Sequence, residues 1–285
     1  MITDTLKDTA ARLAQESVPE YKFIPRPACL LPGIAGIGKL MNEAKAMLFP
    51  GFFSHADGNS MERLYSLLDE QIGRALCCFG QQSPAGKTAQ EPALAFIQQL
   101  PEIKRLLATD IKAVYDCDPA ATSYSEVLFC YPAIQAMMHY RIAHELLLMD
   151  IPVLPRIITE LAHSATGIDI HPGAKIGEYF SIDHGTGVVI GETCVIGNHV
   201  RLYQGVTLGA KGFTLDNDGL PVNVPRHPII EDNVIIYSNS TILGRITIGH
   251  DSIIGGNIWQ VYSVPPHSRV IQRKATSAFT DGLGI

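Results

Sequence analysis

The sequence has no excess of positive charge, no cysteine pairs at metal-binding spacing and no long apolar run. Its 22 Lys and Arg against 28 Asp and Glu give a formal charge of −6 and a pI near 5.9. That balance offers no basic field for nucleic acid and no polybasic patch for a membrane surface. No stretch reaches the length needed to span a bilayer. The N-terminus lacks a continuous apolar run and carries Asp4 and Asp8, which argues against a secretory signal or a transit peptide. The six cysteines (Cys29, Cys77, Cys78, Cys117, Cys130, Cys194) make no CxxC motif and are too sparse for a disulfide scaffold. They read as mostly buried apolar residues of a reducing compartment. A cytoplasmic, soluble protein is expected, and 285 residues suffice for one large domain or two ordinary ones.

What the chain does have is a repeat. From Ile170 to Trp259 it runs in six-residue blocks, each opening on an aliphatic residue: IHPGAK, IGEYFS, IGETCV, IGNHVR, then IEDNVI, IYSNST, ILGRIT, IGHDSI and IGGNIW. Hexapeptide periodicity marks a parallel β-helix, in which three short strands make one triangular coil. One inward aliphatic per block stacks on its equivalent a coil away, and the coils are stable only as a set. The fold class expected is therefore α+β: an N-terminal α-helical domain followed by a left-handed parallel β-helix.

The first half carries the helical part. Thr3–Gln15 and Ile37–Met47 read as helices, with the Pro- and Gly-punctuated stretch IPRPACLLPGIAGIG between them as loop. Ser60 is expected to cap a helix bearing Leu64, Leu67, Leu68, Ile72 and Ala75. After the polar segment QQSPAGKTAQEP, Pro101 occupies a first-turn position ahead of Ile103, Leu106, Leu107 and Ile111. A helix from Ser125 to Met149, interrupted near Pro132, and a short one over Arg156–His163 complete this part. The domains expected are 1–160, helical; 161–267, β-helix with an insertion at 211–225; and 268–285, a C-terminal tail.

Two breaks in the repeat are more informative than the repeat itself. The block IDHGTGVV is two residues too long, and extra residues in a ladder bulge out and re-aim side chains, here Asp183 and His184. Between Leu208 and Ile230 a long excursion takes the place of one block and closes on Arg226 and His227. Histidine accepts and returns protons near neutral pH, and a carboxylate can orient it. Asp169 returns close to His184 after one coil, so Asp169–His184 reads as an orienter–base pair; spacing leaves open that His184 and His171 are ordinary corner residues. His171, His184 and His199 also recur at coil spacing, which keeps a zinc site of the β-helical carbonic anhydrase kind as an alternative. Cys194 reads as interior packing.

Asp118-Pro119-Ala120 with Tyr124-Ser125, then YRIAHELL, DIHPGAKIG, DHGTGVVIGET, GVTLGA and RHPIIEDNVII, resemble the serine O-acetyltransferase family of cysteine biosynthesis, over about residues 105–267. The resemblance implies an enzyme in which His184 deprotonates the serine hydroxyl, Asp169 orients it, and the alkoxide attacks acetyl-CoA directly. It further implies that Arg226 grips the substrate carboxylate, Asp118 and Asp183 receive the ammonium group, and His227 contacts the reacting side chain. Backbone near Gly209, Ala210, Ser238 and Gly256 would line the pantetheine arm, in a groove between subunits. No metal is expected. The assembly implied is a homotrimer or a dimer of trimers, with cysteine as feedback inhibitor and O-acetylserine sulfhydrylase as a partner engaged by Ile285.

The sequence departs from the family pattern at Gly185, usually alanine; at Ala210, usually glycine; in a longer 211–225 loop; and in lacking a GxPA segment after VPPHS. These departures point to a divergent subgroup. Another hydroxy amino acid or acyl donor, a metal-dependent carbonic-anhydrase-like enzyme and a non-enzymatic scaffold of the sulfhydrylase stand as the alternatives.

Overall fold

The structure, a computed structural model, describes residues 2–13, 29–53, 57, 59–79 and 89–272. Within them the chain forms helices α1 (Ile2–Leu13), α2 (Ile34–Leu48), α3 (Ser60–Phe79), α4 (Gln90–Cys117), α5 (Tyr124–Cys130), α6 (Pro132–Leu148) and α7 (Leu154–Thr166). None of these helices is long and apolar enough to cross a membrane. Each main helix forms because its apolar residues recur on one face. In α3 the buried positions are Leu64, Leu68, Ile72 and Ala75, one per turn. They meet Ile37, Leu40, Met41 and Ala44 of α2 and Phe96, Leu100, Ile103 and Leu107 of α4 in one continuous core.

The helix borders correct several readings of the sequence. The stretch read as loop includes the first turns of α2, which begins just after Gly33, whose N–H is held by Gln71 Oε1 at 3.0 Å. Ser60 does not cap α3: its hydroxyl accepts from the Asp57 N–H at 2.9 Å and stands as the first helical residue. Pro101 is interior to α4, not in its first turn. Helix α4 is long and buried along Phe96, Leu100 and Ile103, so packing on both sides of the proline outweighs its lost backbone hydrogen bond. The reading of the cysteines is also corrected. Cys29 and Cys77 form a disulfide, Cys130 is exposed, and Cys194 alone of the free thiols is buried, which raises its pKa to about 12.

Gly167 closes α7 in the left-handed conformation, and the β-helix starts two residues later. Its first sheet contains β1 (Asp169–Ile170), β4 (Val189–Ile190), β7 (Thr207–Gly209), β10 (Thr241–Leu243) and β13 (Trp259–Gln260). The second contains β2 (Lys175–Ile176), β5 (Val195–Ile196), β8 (Ile229–Ile230) and β11 (Thr247–Ile248). The third contains β3 (Ser181–Asp183), β6 (Arg201–Tyr203), β9 (Ile235–Ile236), β12 (Ile253–Ile254) and β14 (Arg269–Val270). All pairings between these strands are parallel and the chain visits the three sheets in turn, which makes a parallel β-helix, here a left-handed one. Inward residues stack coil on coil: Ile170, Ile190, Leu208 and Ile242 in the first sheet are all buried. Burying each such side chain contributes roughly 1.5–3 kcal/mol. The sheets continue past Trp259 to Val270, beyond the last recognisable block.

The helical part docks on the first coils through polar staples. Arg141 of α6 makes two hydrogen bonds to fully buried Asp110 of α4 and donates to the carbonyls of Ile176 and Gly177. Asp110 also accepts the Phe180 N–H, and Tyr140 Oη donates to Ala174 O at 2.6 Å. These contacts fix which helices stand beside which corner of the β-helix.

Candidate active site

The coil has three corners, and each of His184, His227 and His199 lies at a different one. The His184 corner joins the third sheet to the first, the His227 corner joins the first to the second, and the His199 corner joins the second to the third. His171 follows β1 and so shares the His227 corner. The three histidines with zinc-like spacing, His171, His184 and His199, therefore stand at three separate corners of the chain and form no cluster within it.

At the His184 corner, Asp183 remains in register with Tyr203, and the Gly205 N–H to Thr186 carbonyl bond re-establishes the rung. The two extra residues are thus His184 and Gly185, both left-handed with φ of 57° and 94°. Of the two side chains expected to be re-aimed, only His184 is displaced from the ladder; Asp183 ends β3 in place. The result is an imidazole at 73% side-chain exposure, with Nδ1 3.8 Å from Asp183 Oδ1. Gly185 is more constrained than a mild replacement of alanine suggests: a Cβ there would stand 2.5 Å from Ile168 Cδ1.

Helix ends complete this corner. Asp118 caps the C-terminus of α4, and Tyr131 links α5 to α6. Asp118, Tyr131, Asp183, His184 and Thr186 line one open cleft of about 600 Å³. Tyr131 Oη donates to Asp118 Oδ2 at 2.6 Å, and the Ala120 N–H donates to Oδ1 at 2.8 Å. Those bonds, the tyrosine's first, hold the Asp118 carboxyl below its usual range, while the phenol is pushed up to about 12. Two carboxylates and an imidazole facing one cleft suit a cationic, hydroxyl-bearing ligand. Asp169 opens β1 near this corner, but no hydrogen bond joins it to His184; its carboxylate lies within 4.8 Å of ligand atoms of Glu160 and His163.

At the His227 corner, Arg226 donates to Glu192 Oε2 and Asn223 Oδ1, both at 2.8 Å. Burial works to raise the Glu192 pKa, but the Asn223 and Arg226 hydrogen bonds win and lower it. His227 is buried, and its Nδ1 accepts the Thr193 N–H at 3.1 Å. An N–H can only donate, so neutral His227 carries its proton on Nε2. Burial, then the neighbouring Arg226, lowers its pKa to about 4. Gly191 makes room for the ring: a Cβ there would lie 2.0 Å from Cδ2. The excursion at 211–225 is largely exposed and carries its own hydrogen bonds, with Asp216 accepting the N–H groups of Asp218 and Leu220 and Val222 N–H bonded to Thr214 O.

The four backbone positions read as lining a pantetheine arm divide between corners. Gly209 ends β7 and leads with Ala210 into the His227 corner. Ser238 and Gly256 stack on the His184 corner, where a Cβ on Gly256 would meet the Ser238 carbonyl at 3.2 Å. The two corners are separated by the width of the first sheet, on the order of 15 Å for about five residues of strand. One chain therefore brings Asp118, Asp183 and His184 together, and brings Arg226 and His227 together, but does not join the two sets.

Sequence reading missed Tyr131, Glu192, Thr193 and Gln204. Gln204 lies one rung along from Thr186, and its Oε1 is a buried acceptor without a partner among the described residues. No local pattern flags these residues, because Tyr131 meets Asp118 across helix ends, Glu192 and Thr193 meet Arg226 and His227 across coils, and Gln204 is buried only by the stacking of coils. Ile285 lies outside the described residues.

Comparison with known proteins adds the chemistry. The family model described as "Serine acetyltransferase, N-terminal" matches residues 52–139. A plasmid-borne serine acetyltransferase of Synechococcus elongatus is 48% identical over 306 residues, covering 99% of this chain and 94% of that one. A serine acetyltransferase of Bacillus subtilis is 46% identical over 59% of this chain and 73% of its own length. Among solved structures, serine acetyltransferase isoform 3 of Entamoeba histolytica in complex with cysteine superposes with a TM-score of 0.72 at 34% identity, covering 96% and 93% of the two chains. The Neisseria gonorrhoeae serine acetyltransferase in complex with serine gives a TM-score of 0.57 at 28% identity, covering 89% of this chain and 100% of that one.

Proposed function

The chain belongs to the serine acetyltransferase family, and from that premise we propose that it transfers the acetyl group of acetyl-CoA to the L-serine hydroxyl through His184. The observation that carries this reading is the two-residue bulge that lifts His184 out of the ladder beside Asp118 and Asp183. His184 takes the proton from serine Oγ as that oxygen bonds to the thioester carbonyl carbon. The tetrahedral oxyanion collapses, the C–S bond breaks, and the imidazolium returns the proton to the departing thiolate. Asp169 orients the base, Asp118 and Asp183 hold the ammonium group, and Tyr131 holds Asp118.

Arg226 and His227 complete the site from a second copy of the chain. The substrate carboxylate takes Arg226 from Glu192, and the Nε2–H of His227 donates to the reacting centre. A homotrimer, or a pair of trimers, sets the His184 corner of one subunit against the His227 corner of the next. Acetyl-CoA then lies in the groove between them, with Gly209 and Ala210 on one wall and Ser238 and Gly256 on the other. The division of these residues between two corners supports that arrangement. Cysteine, which shares the ammonium and carboxylate of serine, competes for the same pocket. The reaction belongs to cysteine biosynthesis.

The test is a screen of hydroxy amino acids with acetyl-CoA and succinyl-CoA, followed by release of free thiol. L-serine with acetyl-CoA should give the highest kcat/KM, and His184→Ala should lose at least about 100-fold. Retained activity in His184→Ala removes the mechanism; preference for another acceptor or donor removes the substrate assignment.

A further inference from the structure

The His199 corner takes no part in the reaction, yet it is the most regular of the three. Tyr179, His199, Asn233, Asp251 and His267 occupy it in successive coils, all left-handed with φ between 55° and 59°. Each donates its N–H to the coil before it from His199 onward: to Glu178, Asn198, Asp232 and His250 in turn. The backbone is thus a rigid ladder, and the side chains leave it at one spacing. At its open end the ladder places two histidines around one carboxylate. His250 Nδ1 lies 2.7 Å from Asp251 Oδ2, and His267 Nδ1 lies 3.6 Å from that oxygen. One ligand atom from each residue falls within 4.8 Å of those of the other two.

We propose that His250, Asp251 and His267 form a binding site for a borderline divalent transition metal such as zinc, and that the ion clamps the last coil of the β-helix to the one before it. Two imidazoles and one carboxylate are the donor set such ions favour, with water completing a tetrahedron. Ligand atoms on a tetrahedral zinc at about 2.0–2.1 Å stand roughly 3.3 Å apart, between the two distances found here. The surroundings also orient the ligands. Asn233 Nδ2 donates to Asp251 Oδ1 at 3.0 Å, which turns Oδ2 toward the imidazoles; Oδ2 is hydrogen-bonded to His250 Nδ1, and the ion would take the place of the proton between them. The His250 N–H is held by Glu231 Oε2 at 2.8 Å, and its carbonyl accepts the His267 N–H. The side chains are solvent-accessible, so the ion has an entry path.

A clamp at this place has a mechanical purpose. His267 lies two residues before β14, the terminal rung of the third sheet, which pairs on one side only. A terminal repeat has one unsatisfied neighbour and is the first to fray. A ligand shared between His267 and the preceding coil resists that opening directly. A second grouping of metal-ligand types, Glu160, His163 and Asp169, is less suited, because the Arg156 guanidinium paired with Glu160 repels a second cation, whereas Asn233 beside Asp251 is neutral.

The test uses the full-length, untagged, metal-stripped protein. Cobalt(II) is titrated against visible absorption and zinc by calorimetry, and amide exchange is followed over residues 267–270. One ion should bind per chain, Asp251→Asn and His267→Ala should each weaken binding at least tenfold, and Asn233→Ala should weaken it about tenfold. Zinc should slow exchange at residues 267–270 in the wild type and not in Asp251→Asn. Absence of saturable binding, or binding unchanged in both ligand variants, overturns the site, as does binding lost in Glu160→Gln in place of Asp251→Asn. Binding with unchanged exchange overturns the clamp.

Discussion

Thr193 holds His227 from both sides of its own residue: its N–H and its hydroxyl oxygen stand 3.1 and 2.9 Å from Nδ1 of the imidazole. That pair fixes the tautomer, while the bare α-carbon of Gly191 provides the space the ring occupies. A methyl at 191 must displace the imidazole, and a misplacement of about 1 Å in such a site costs on the order of 100-fold in rate. Gly191→Ala should therefore lose about that much in kcat/KM with its circular dichroism unchanged. Gly212→Ala, where a Cβ meets nothing within 4 Å, should match the wild type.

Two histidines make stability depend on pH with the same sign. Burial lowers both His139 and His227 to about 4, aided by Lys45 and Arg226 respectively, against 6.5 for the free side chain. Below pH 6.5 the unfolded chain takes up protons that the folded chain refuses, so stability present above 6.5 is lost as pH falls toward 4. Each of these buried groups contributes at most roughly 1.4 kcal/mol per pH unit in that window, His227, the less buried of the two, contributing less than His139. Thermal unfolding at pH 7.5, 5.5 and 4.5 should show the decline, and His139→Leu should remove at least half of it. A flat profile for the wild type contradicts the burial of both rings.

Tyr131 acts through Asp118, so its loss should appear in binding. A hydrogen bond to an ionised acceptor is stronger than one between neutral groups, and Tyr131 makes such a bond to Asp118. Tyr131→Phe is expected to raise KM for L-serine roughly tenfold while kcat changes less than twofold. Equal falls in kcat and kcat/KM would point to a role in the chemical step, and unchanged constants would remove the residue from the site.

The Asp110–Arg141 pair joins the helical part to the β-helix from a fully buried position. Removing one member leaves an uncompensated charge, at a cost of about 3–5 kcal/mol. Urea unfolding of Asp110→Ala should show a loss of that size. Asp110→Leu combined with Arg141→Met should recover much of it, since an apolar pair carries no buried charge.

The disulfide gives a countable result. Cys78, Cys117, Cys130 and Cys194 are free, so the denatured, non-reduced protein should titrate four thiols and the reduced protein six. Six without reductant would contradict the pairing.

Much of the architecture was determined by the sequence alone. An aliphatic residue every sixth position marks coils that stack in a β-helix, and two residues too many in IDHGTGVV must bulge, so the frame and the displacement of His184 were legible without coordinates. The helices were legible as stripes but not at their borders, because Gly33 and Pro101 obey packing partners more than local preference. Tertiary structure alone decided where the chemistry meets. Period six says nothing about which corner a side chain occupies once loops and bulges shift the count, so Arg226 and His227, which the family resemblance sets around one substrate with His184, stand a sheet's width from it within one chain. Nor could an apolar stripe reveal that Arg141 would seat α4 and α6 so that Asp118 and Tyr131 face the bulge; amphipathic faces are interchangeable until a buried charge pair selects one docking.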